Sequence, residues 1–243
     1  MSLDEIQQKK RIIESRSRIR EFVFGIQDGL ISTVGLLAGV QGATENSLVV
    51  IVTGFTAMFS GAISMAAGSY LSSVAQKEIF DKEITDAEKL AESEPYLAAE
   101  GLLRALGEEG LSKEQSYRMV KALIQERNVF MRTFQEKVFG LGSAEINRPI
   151  QAALVMGLSF ILGAVVPIVP YVFLPGVAAF YLSALLGGLT LFGVGAFKGR
   201  LAGQSLFLAG GKFFLIAVSA AGLGYLIGLI VQYFFPGITV PVG

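Results

Sequence analysis

Long apolar segments alternate with charged segments along this chain. Five of the apolar segments reach the about 20 residues that an α-helix needs to cross a bilayer. They cover residues 22–43, 48–75, 150–171, 175–197 and 210–235. The pattern therefore predicts an all-α integral membrane protein with five transmembrane helices.

The charged segments divide the chain into four parts. Residues 1–21 are basic and predict an amphipathic helix on the inner membrane surface, although a simple orientation signal accounts for the same residues. Residues 22–75 hold transmembrane helices one and two, and residues 150–243 hold helices three to five. Residues 76–149 predict a small helical cytoplasmic insert between helices two and three.

Local signals in the insert mark the ends of its helices. Pro95 fits the first turn of a helix with Ser93 as its N-cap, and residues 107–111 fit a turn. Ser112 and Gln115 have the spacing of a capping box that opens the next helix. Four residues of that helix are expected to face inward: Tyr117, Val120, Leu123 and Ile124.

The basic residues predict the orientation of the chain. Short loops rich in Lys and Arg stay on the cytosolic side of a membrane. All 20 basic residues fall in the N-terminal arm, in the insert, or in the loop around Lys198, Arg200 and Lys212. We therefore expect the N-terminus in the cytosol and the tail at residues 236–243 on the opposite side.

The composition excludes several function classes. The insert carries 14 acidic against 11 basic residues, which argues against nucleic acid as a partner. The chain has no Cys and no His, so disulfides, thiolate ligands and imidazole ligands are excluded. Without them no nucleophile has an evident activating base, and we do not expect an enzyme. A cation site must use carboxylates, Met thioethers, hydroxyls, carbonyls or water.

Asp28 is the one carboxylate inside the first apolar segment. An ionised side chain there costs about 2.5 kcal/mol or more unless it is paired, solvated or protonated. No cationic residue lies within the apolar segments near it, which favours a role in transport or proton coupling over a structural ion pair. Its partner is then water, a bound cation, a proton or a second copy of the chain.

Two further features of the first two segments bear on this site. Asp28 and Ser32 share one helical stripe with Gly35 and Gly39. The pairs Gly25/Gly29 and Gly35/Gly39 permit close helix contact, which would allow two first helices of an oligomer to cross here. In segment two, Met58, Met65 and Ser69 recur at helical spacing, although a Met face more often serves packing than ligation.

Three motifs carry a family resemblance: Asp28–Leu30, Gly61–Met65 and Val166–Tyr171. Through them the chain resembles the vacuolar iron transporter (CCC1-like) family over essentially its whole length. The resemblance implies a homodimer, in contact through helix one and the cytoplasmic domain, that exports Fe(II), sometimes Mn(II), from the cytosol in exchange for protons. It implies no tightly bound cofactor, and the plasma membrane of a prokaryote or the vacuolar membrane of a eukaryote.

The resemblance also assigns residues. It places Asp28 and Met65 on the transport path as metal ligands, and the helical faces described above add Met58, Ser32 and Ser69 to the expected path. A family Glu eight residues before the Met falls on Ala57. In the insert, the Glu and Met cluster of the plant members falls on residues with little or no capacity to bind metal: Ala87, Leu90, Ala98, Gly101, Phe134, Gln135 and Val138.

A shifted cytoplasmic metal site is one reading of the acidic residues near these positions. Its candidate ligands are Glu83, Asp86, Met131 and Glu136, with Glu88, Glu94 and Glu100 nearby. Interspersed Lys and Arg favour the other reading, a solvated acidic helix face. The leading hypothesis is a divalent metal transporter. Its alternatives are a transporter of a different solute and a non-transporting membrane scaffold or regulator.

Overall fold

The computed structural model describes residues 16–44, 46–140 and 148–235. Within these ranges the chain forms eight helices. They are α1 (Arg16–Ala43), α2 (Ser47–Ser93), α3 (Pro95–Glu108), α4 (Lys113–Ile124), α5 (Arg127–Val138), α6 (Pro149–Phe173), α7 (Gly176–Leu201) and α8 (Leu206–Phe234). Residues 1–15 of the predicted amphipathic helix and the predicted outer tail lie outside the described residues.

Five of these helices, α1, α2, α6, α7 and α8, are long and apolar enough to cross a membrane. The described part of the chain is therefore all-helical with five candidate membrane spans, as the sequence predicts. α2 starts directly after Asn46, whose Oδ1 accepts a hydrogen bond from the Leu48 N–H at 3.0 Å and so caps the helix. It continues to Ser93 because residues 69–93 contain neither Gly nor Pro.

The chain divides into a membrane unit and an insert unit. The membrane unit holds the residues up to Tyr70 and those from Pro149 onward, and the insert unit is Leu71–Arg148. α2 contributes residues to both units. In the membrane unit, α1 packs against α6, α7 and α8, and α7 packs against α6 and α8. Leu30 and Leu37 of α1 are fully buried by these neighbours.

Glycines on α1 allow its close approach to two helices of the same chain. A Cβ at Gly25 would lie 2.7 Å from the Met156 carbonyl oxygen on α6. A Cβ at Gly39 would lie 3.1 Å from the Gly224 carbonyl oxygen on α8. Gly29 and Gly35 make equivalent approaches to α6 and α8. These glycines are thus used for contacts inside the chain, and the expected crossing of two first helices of an oligomer stays a prediction.

The prolines of α6 do not end this helix. Pro167 and Pro170 are both buried inside it, and α6 continues to Phe173. A proline in a helix interior removes one backbone hydrogen bond, and neighbouring helices in a membrane commonly supply replacement partners. The Ser183 hydroxyl of α7 donates a 2.7 Å hydrogen bond to the Pro167 carbonyl, which is not one of the carbonyls that the two prolines leave without a helical donor. That bond links α7 to α6 at the proline.

The insert is a small helical bundle with its own apolar core. The end of α2 contributes Ala87 and Ala91, and α3, α4 and α5 contribute the other buried residues: Ala98, Leu102, Leu106, Val120, Phe130 and Phe134. The Phe130 and Phe134 rings stack at 6.0 Å between centroids. Gly110 makes the turn between α3 and α4 with φ of +100°, a conformation that glycine adopts without strain.

Two of the local predictions for the insert are confirmed, and the predicted Ser93 cap is wrong. The capping box is present, since Gln115 N–H donates to Ser112 Oγ and Ser112 N–H donates to Gln115 Oε1. Pro95 occupies the first turn of α3 as expected, but Ser93 does not cap it. Ser93 ends α2 instead, and its hydroxyl donates to the Lys89 carbonyl at 2.8 Å.

The inward face of α4 is also narrower than predicted. Val120 is buried and Leu123 packs against the core, but Tyr117 is 60% exposed and Ile124 is 54% exposed. The buried residue next to Val120 along the helix face is Ser116 rather than Tyr117. A short amphipathic helix that packs on only two neighbours buries a single stripe, which leaves apolar residues beside the stripe in solvent.

Candidate functional site

A cavity of about 240 Å³ lies between α1 and α2 in the membrane unit. α1 lines it with Asp28, Ser32, Thr33 and Leu36, α2 with Ala57, Gly61, Ser64 and Met65, and α6 with Phe160. Asp28, Ser32 and Met65, which the sequence assigned to a transport path, therefore meet in one place. Ala57, the position where the family resemblance places a Glu, lines the same cavity.

The packing of α1 explains why Asp28 faces this cavity. Gly25 and Gly29 bring α1 against α6, and Gly35 and Gly39 bring it against α8. Asp28 and Ser32 then remain on the side of α1 that faces α2, whereas Gly35 and Gly39 of the predicted stripe contact α8. Residues four apart lie one turn above each other on a helix, so Ser32 lines the cavity next to Asp28.

Hydroxyl groups in the cavity differ in their availability. The Ser32 hydroxyl donates a 2.6 Å hydrogen bond to the Asp28 backbone carbonyl, so its proton is directed away from the carboxylate. Its oxygen lone pairs stay available as acceptors. Ser64 of α2 is exposed on the cavity wall. The Ser32 and Ser64 hydroxyl oxygens and the Met65 thioether thus form a mixed set of oxygen and sulfur donors in the cavity that Asp28 lines.

The Asp28 carboxylate is half-buried, and no Lys or Arg among the described residues forms an ion pair with it. In a membrane-spanning segment an ionised group needs a counter-charge, water or a proton. A hard carboxylate attracts divalent cations, and a thioether adds a softer donor that suits transition metals better than Mg²⁺ or Ca²⁺.

The structure does not bring every predicted path residue to the cavity. Met58 is only 3% exposed and belongs to an apolar cluster with Leu37, Phe160 and Ile168. Ser69 is half-buried on α2 and does not line this cavity. Ser64 and Thr33 also line the cavity, although the sequence did not predict them there. Ser64 has a recognisable signal, since it is a hydroxyl adjacent to Met65 within an apolar segment.

In the insert, four of the seven positions that the family resemblance assigns to metal ligands belong to the apolar core or pack against it. Ala87, Ala98 and Phe134 are almost completely buried, and Leu90 packs against them. A Cβ at Gly101 would lie 3.7 Å from the Phe134 ring, in ordinary contact distance. The centre of the insert is thus filled with packed side chains.

The residues of the proposed shifted metal site are dispersed. Glu83, Asp86 and Glu136 are exposed, and Met131 packs against the apolar core. Across the described ranges no three Asp or Glu side chains are grouped in a way that would hold a metal ion. Other acidic groups have partners, since Arg127 pairs with Glu92 and Lys137 pairs with Glu109 at 2.8 Å.

Comparison with known proteins gives one family model and several related sequences. A protein-family model described as the VIT family matches residues 19–229. The chain is 27% identical to vacuolar iron transporter 1 of Oryza sativa subsp. japonica over 219 residues, which cover 89% of this chain and 86% of the rice protein. It is 24% identical to vacuolar iron transporter 1 of Arabidopsis thaliana over 216 residues, covering 88% of this chain and 86% of the relative. It is 28% identical to protein CCC1 of Saccharomyces cerevisiae over 186 residues, covering 75% and 58%.

Proposed function

The chain belongs to the VIT family, and from this premise we propose that it exports Fe(II), and also Mn(II), from the cytosol in exchange for protons. One observation carries the proposal: Asp28 and Met65 line a single cavity between two membrane helices, and within the described residues the carboxylate has no cationic partner. The relatives that match most of this chain are named vacuolar iron transporters, which supports iron as the substrate.

The chemistry of the cavity supports exchange of a cation for a proton. A carboxylate in a membrane segment is stable when it binds either a proton or a cation, because each neutralises its charge. In the proposed cycle Asp28 releases a proton when the metal arrives and takes one up when the metal leaves. Met65 contributes a thioether, and hydroxyls, carbonyls and water complete the metal's coordination.

Orientation and assembly are part of the same proposal. Arg20 and Lys198 lie at the same end of the membrane unit, where they line a common cavity, and the positive-inside rule assigns this end to the cytosol. The proposed assembly is a homodimer that uses α1 and the insert, with the insert as a structural module. Exposed apolar residues such as Tyr96 and Tyr117 support contact between copies of the insert. Native mass spectrometry of the purified chain tests the dimer.

The test of transport is uptake into proteoliposomes that hold the wild-type chain, with and without a pH gradient. We expect gradient-dependent uptake of Fe(II) that Mn(II) reduces in competition, with Co(II) and Zn(II) as further competitors. Asp28→Asn should lower the flux by at least about tenfold, because the neutral amide removes both the counter-charge and the exchangeable proton. Met65→Leu keeps the shape of the side chain and should chiefly weaken selectivity for transition metals.

The matched control is Asp81→Asn, which makes the same change at an exposed residue of α2 within the insert unit. It should transport as the wild type does. Full Fe(II) transport by a folded Asp28→Asn protein would reject the assignment of Asp28. If the wild type moves no metal but moves another solute, the substrate assignment fails. Absence of both flux and metal binding would indicate a scaffold.

A further inference from the structure

A second cavity of the membrane unit, of about 580 Å³, is lined by two basic residues and a mostly apolar wall. Arg20 and Lys198 are the basic residues, and Gln27 is the other polar one. The apolar wall consists of Ile19, Val23 and Phe24 of α1 with Leu201 and Ala202 at the end of α7. This cavity shares no residue with the one around Asp28.

The basic residues of this cavity have no carboxylate partner among the described residues. Neither Arg20 nor Lys198 forms an ion pair there, and residues 150–243 contain no Asp or Glu. Glu21, the nearest carboxylate along α1, is buried and does not line the cavity. The cavity therefore presents two positive charges that attract an anion.

The position of Lys198 is set by the helices around it. It lies in the last turn of α7, where a cation is favoured by the helix dipole, and its Nζ lies 5.3 Å from the centroid of the Phe213 ring on α8. Gly203, with φ of +66°, ends α7 directly after the cavity, and Gln204 N–H closes the turn onto the Gly199 carbonyl at 2.8 Å. The basic side chain is thus held at a defined helix end.

From these observations we infer that the cavity binds one anionic phospholipid, independently of the proposed transport function. The phosphate would contact Arg20 and Lys198, and the upper part of an acyl chain would cover Val23, Phe24 and Leu201. Basic cavities between membrane helices are suited to anionic headgroups. A free phosphate ion would leave the apolar wall in contact with water, so the lipid fits the whole lining and the free ion fits only part of it.

The test is native mass spectrometry of the full chain in neutral detergent, titrated separately with phosphatidylglycerol, phosphatidylcholine and inorganic phosphate. We expect one phosphatidylglycerol per chain, bound about tenfold more tightly than phosphatidylcholine. The double variant Arg20→Gln/Lys198→Gln should lose this preference. The control Arg200→Gln/Lys212→Gln makes the same change of charge at basic residues that do not line the cavity, and should keep it.

A third variant separates the lipid from a free anion without changing charge. Ala202→Phe places a ring in the cavity, so it should abolish the bound phosphatidylglycerol while Arg20 and Lys198 remain. Circular dichroism checks that each variant is folded. Equal loss of preference in both double variants would show attraction to surface charge alone and overturn the inference. Displacement of the lipid by inorganic phosphate, or unchanged lipid binding in Ala202→Phe, would overturn it as well.

Discussion

In the membrane unit, α1 and α2 leave a cavity lined by a carboxylate, a thioether and hydroxyls, whereas in the insert α3 and α5 close on an apolar core at Ala98 and Phe134. The family resemblance assigns metal ligands to both regions. The membrane cavity keeps two of them, Asp28 and Met65, and carries Ala57 in place of a third. The insert has apolar residues at nearly all of its positions, and packing has filled the space that a metal cluster would need.

This difference shows how each region obtains its stability. In water, an apolar core stabilises a small bundle, because the burial of apolar side chains is the dominant favourable contribution to folding. Between membrane helices that contribution is weak, since lipid is as apolar as Leu, and close packing of small residues holds the helices together. The glycines of α1 provide such packing, and they leave the side of α1 that carries Asp28 free to line a cavity.

The largest expected effect on stability comes from replacing an alanine by glutamate once in each region. Ala98→Glu buries a carboxylate in the apolar core and should destabilise the insert by about 3 kcal/mol or more, and Fe(II) should not restore it. Ala57→Glu places the carboxylate in the membrane cavity beside Asp28, where added Fe(II) should stabilise the protein. Unfolding of the full chain, followed by circular dichroism with and without Fe(II), measures both effects.

The control for this pair is Ala122→Glu, at an exposed alanine of α4. It should change stability by no more than about 0.5 kcal/mol. Stabilisation of Ala98→Glu by Fe(II) would contradict the contrast, because it would show that the insert can still form a metal site.

A smaller effect is expected at the glycine contacts of α1. Gly29→Ala brings a methyl group into the Phe160 backbone of α6 and should destabilise the membrane unit by about 2 kcal/mol. The control Gly222→Ala adds the same methyl group to α8 where no atom lies within 4 Å. It should be neutral or stabilising, because Ala favours a helix more than Gly does. Reversible unfolding in mixed micelles compares the two variants.

A different result at Gly29 would revise the role of these glycines. If Gly29→Ala kept the stability of the monomeric unit but changed the oligomeric state, the glycine would serve contact between copies of the chain. The intrachain packing of α1 against α6 would then need another explanation.

The smallest effect concerns the surface of the insert. The hydrogen bond and charge of Glu109 raise the pKa of Lys137 above its usual value. Because the pKa of Lys137 is raised in the folded state, its pair with Glu109 stabilises the fold fully below about pH 10.4. This stabilisation is lost as the pH rises through the folded-state pKa. Lys137→Gln should therefore lower the unfolding temperature slightly at neutral pH, and the difference from wild type should vanish in strong alkali.

Arg132→Gln is the control for Lys137→Gln. Arg132 lies on α5 and makes no ion pair among the described residues, so it should not alter the pH profile. An identical pH profile for wild type and Lys137→Gln would show that the pair with Glu109 contributes nothing measurable, as is common for exposed ion pairs.

The sequence by itself determined the five helices that are long and apolar enough to span a membrane, and it identified Asp28 as the one carboxylate within the first of them. These features depend on local properties: the length of an apolar run, the cost of a charge within it, and caps such as Ser112 with Gln115. Each can be read from neighbouring residues, because a helix satisfies its own backbone hydrogen bonds wherever it lies. The family resemblance further assigned Met65 and Ala57 to the same site as Asp28.

Only the tertiary structure decided which helix faces meet. It placed Ser64 and Thr33 at the cavity, packed Met58 away from it, and turned the α1 glycines toward α6 and α8. It also showed that Arg20 and Lys198, far apart in the chain, share a cavity. Helical periodicity gives the residues on each face, but the rotation of each helix depends on the shapes of all its neighbours at once.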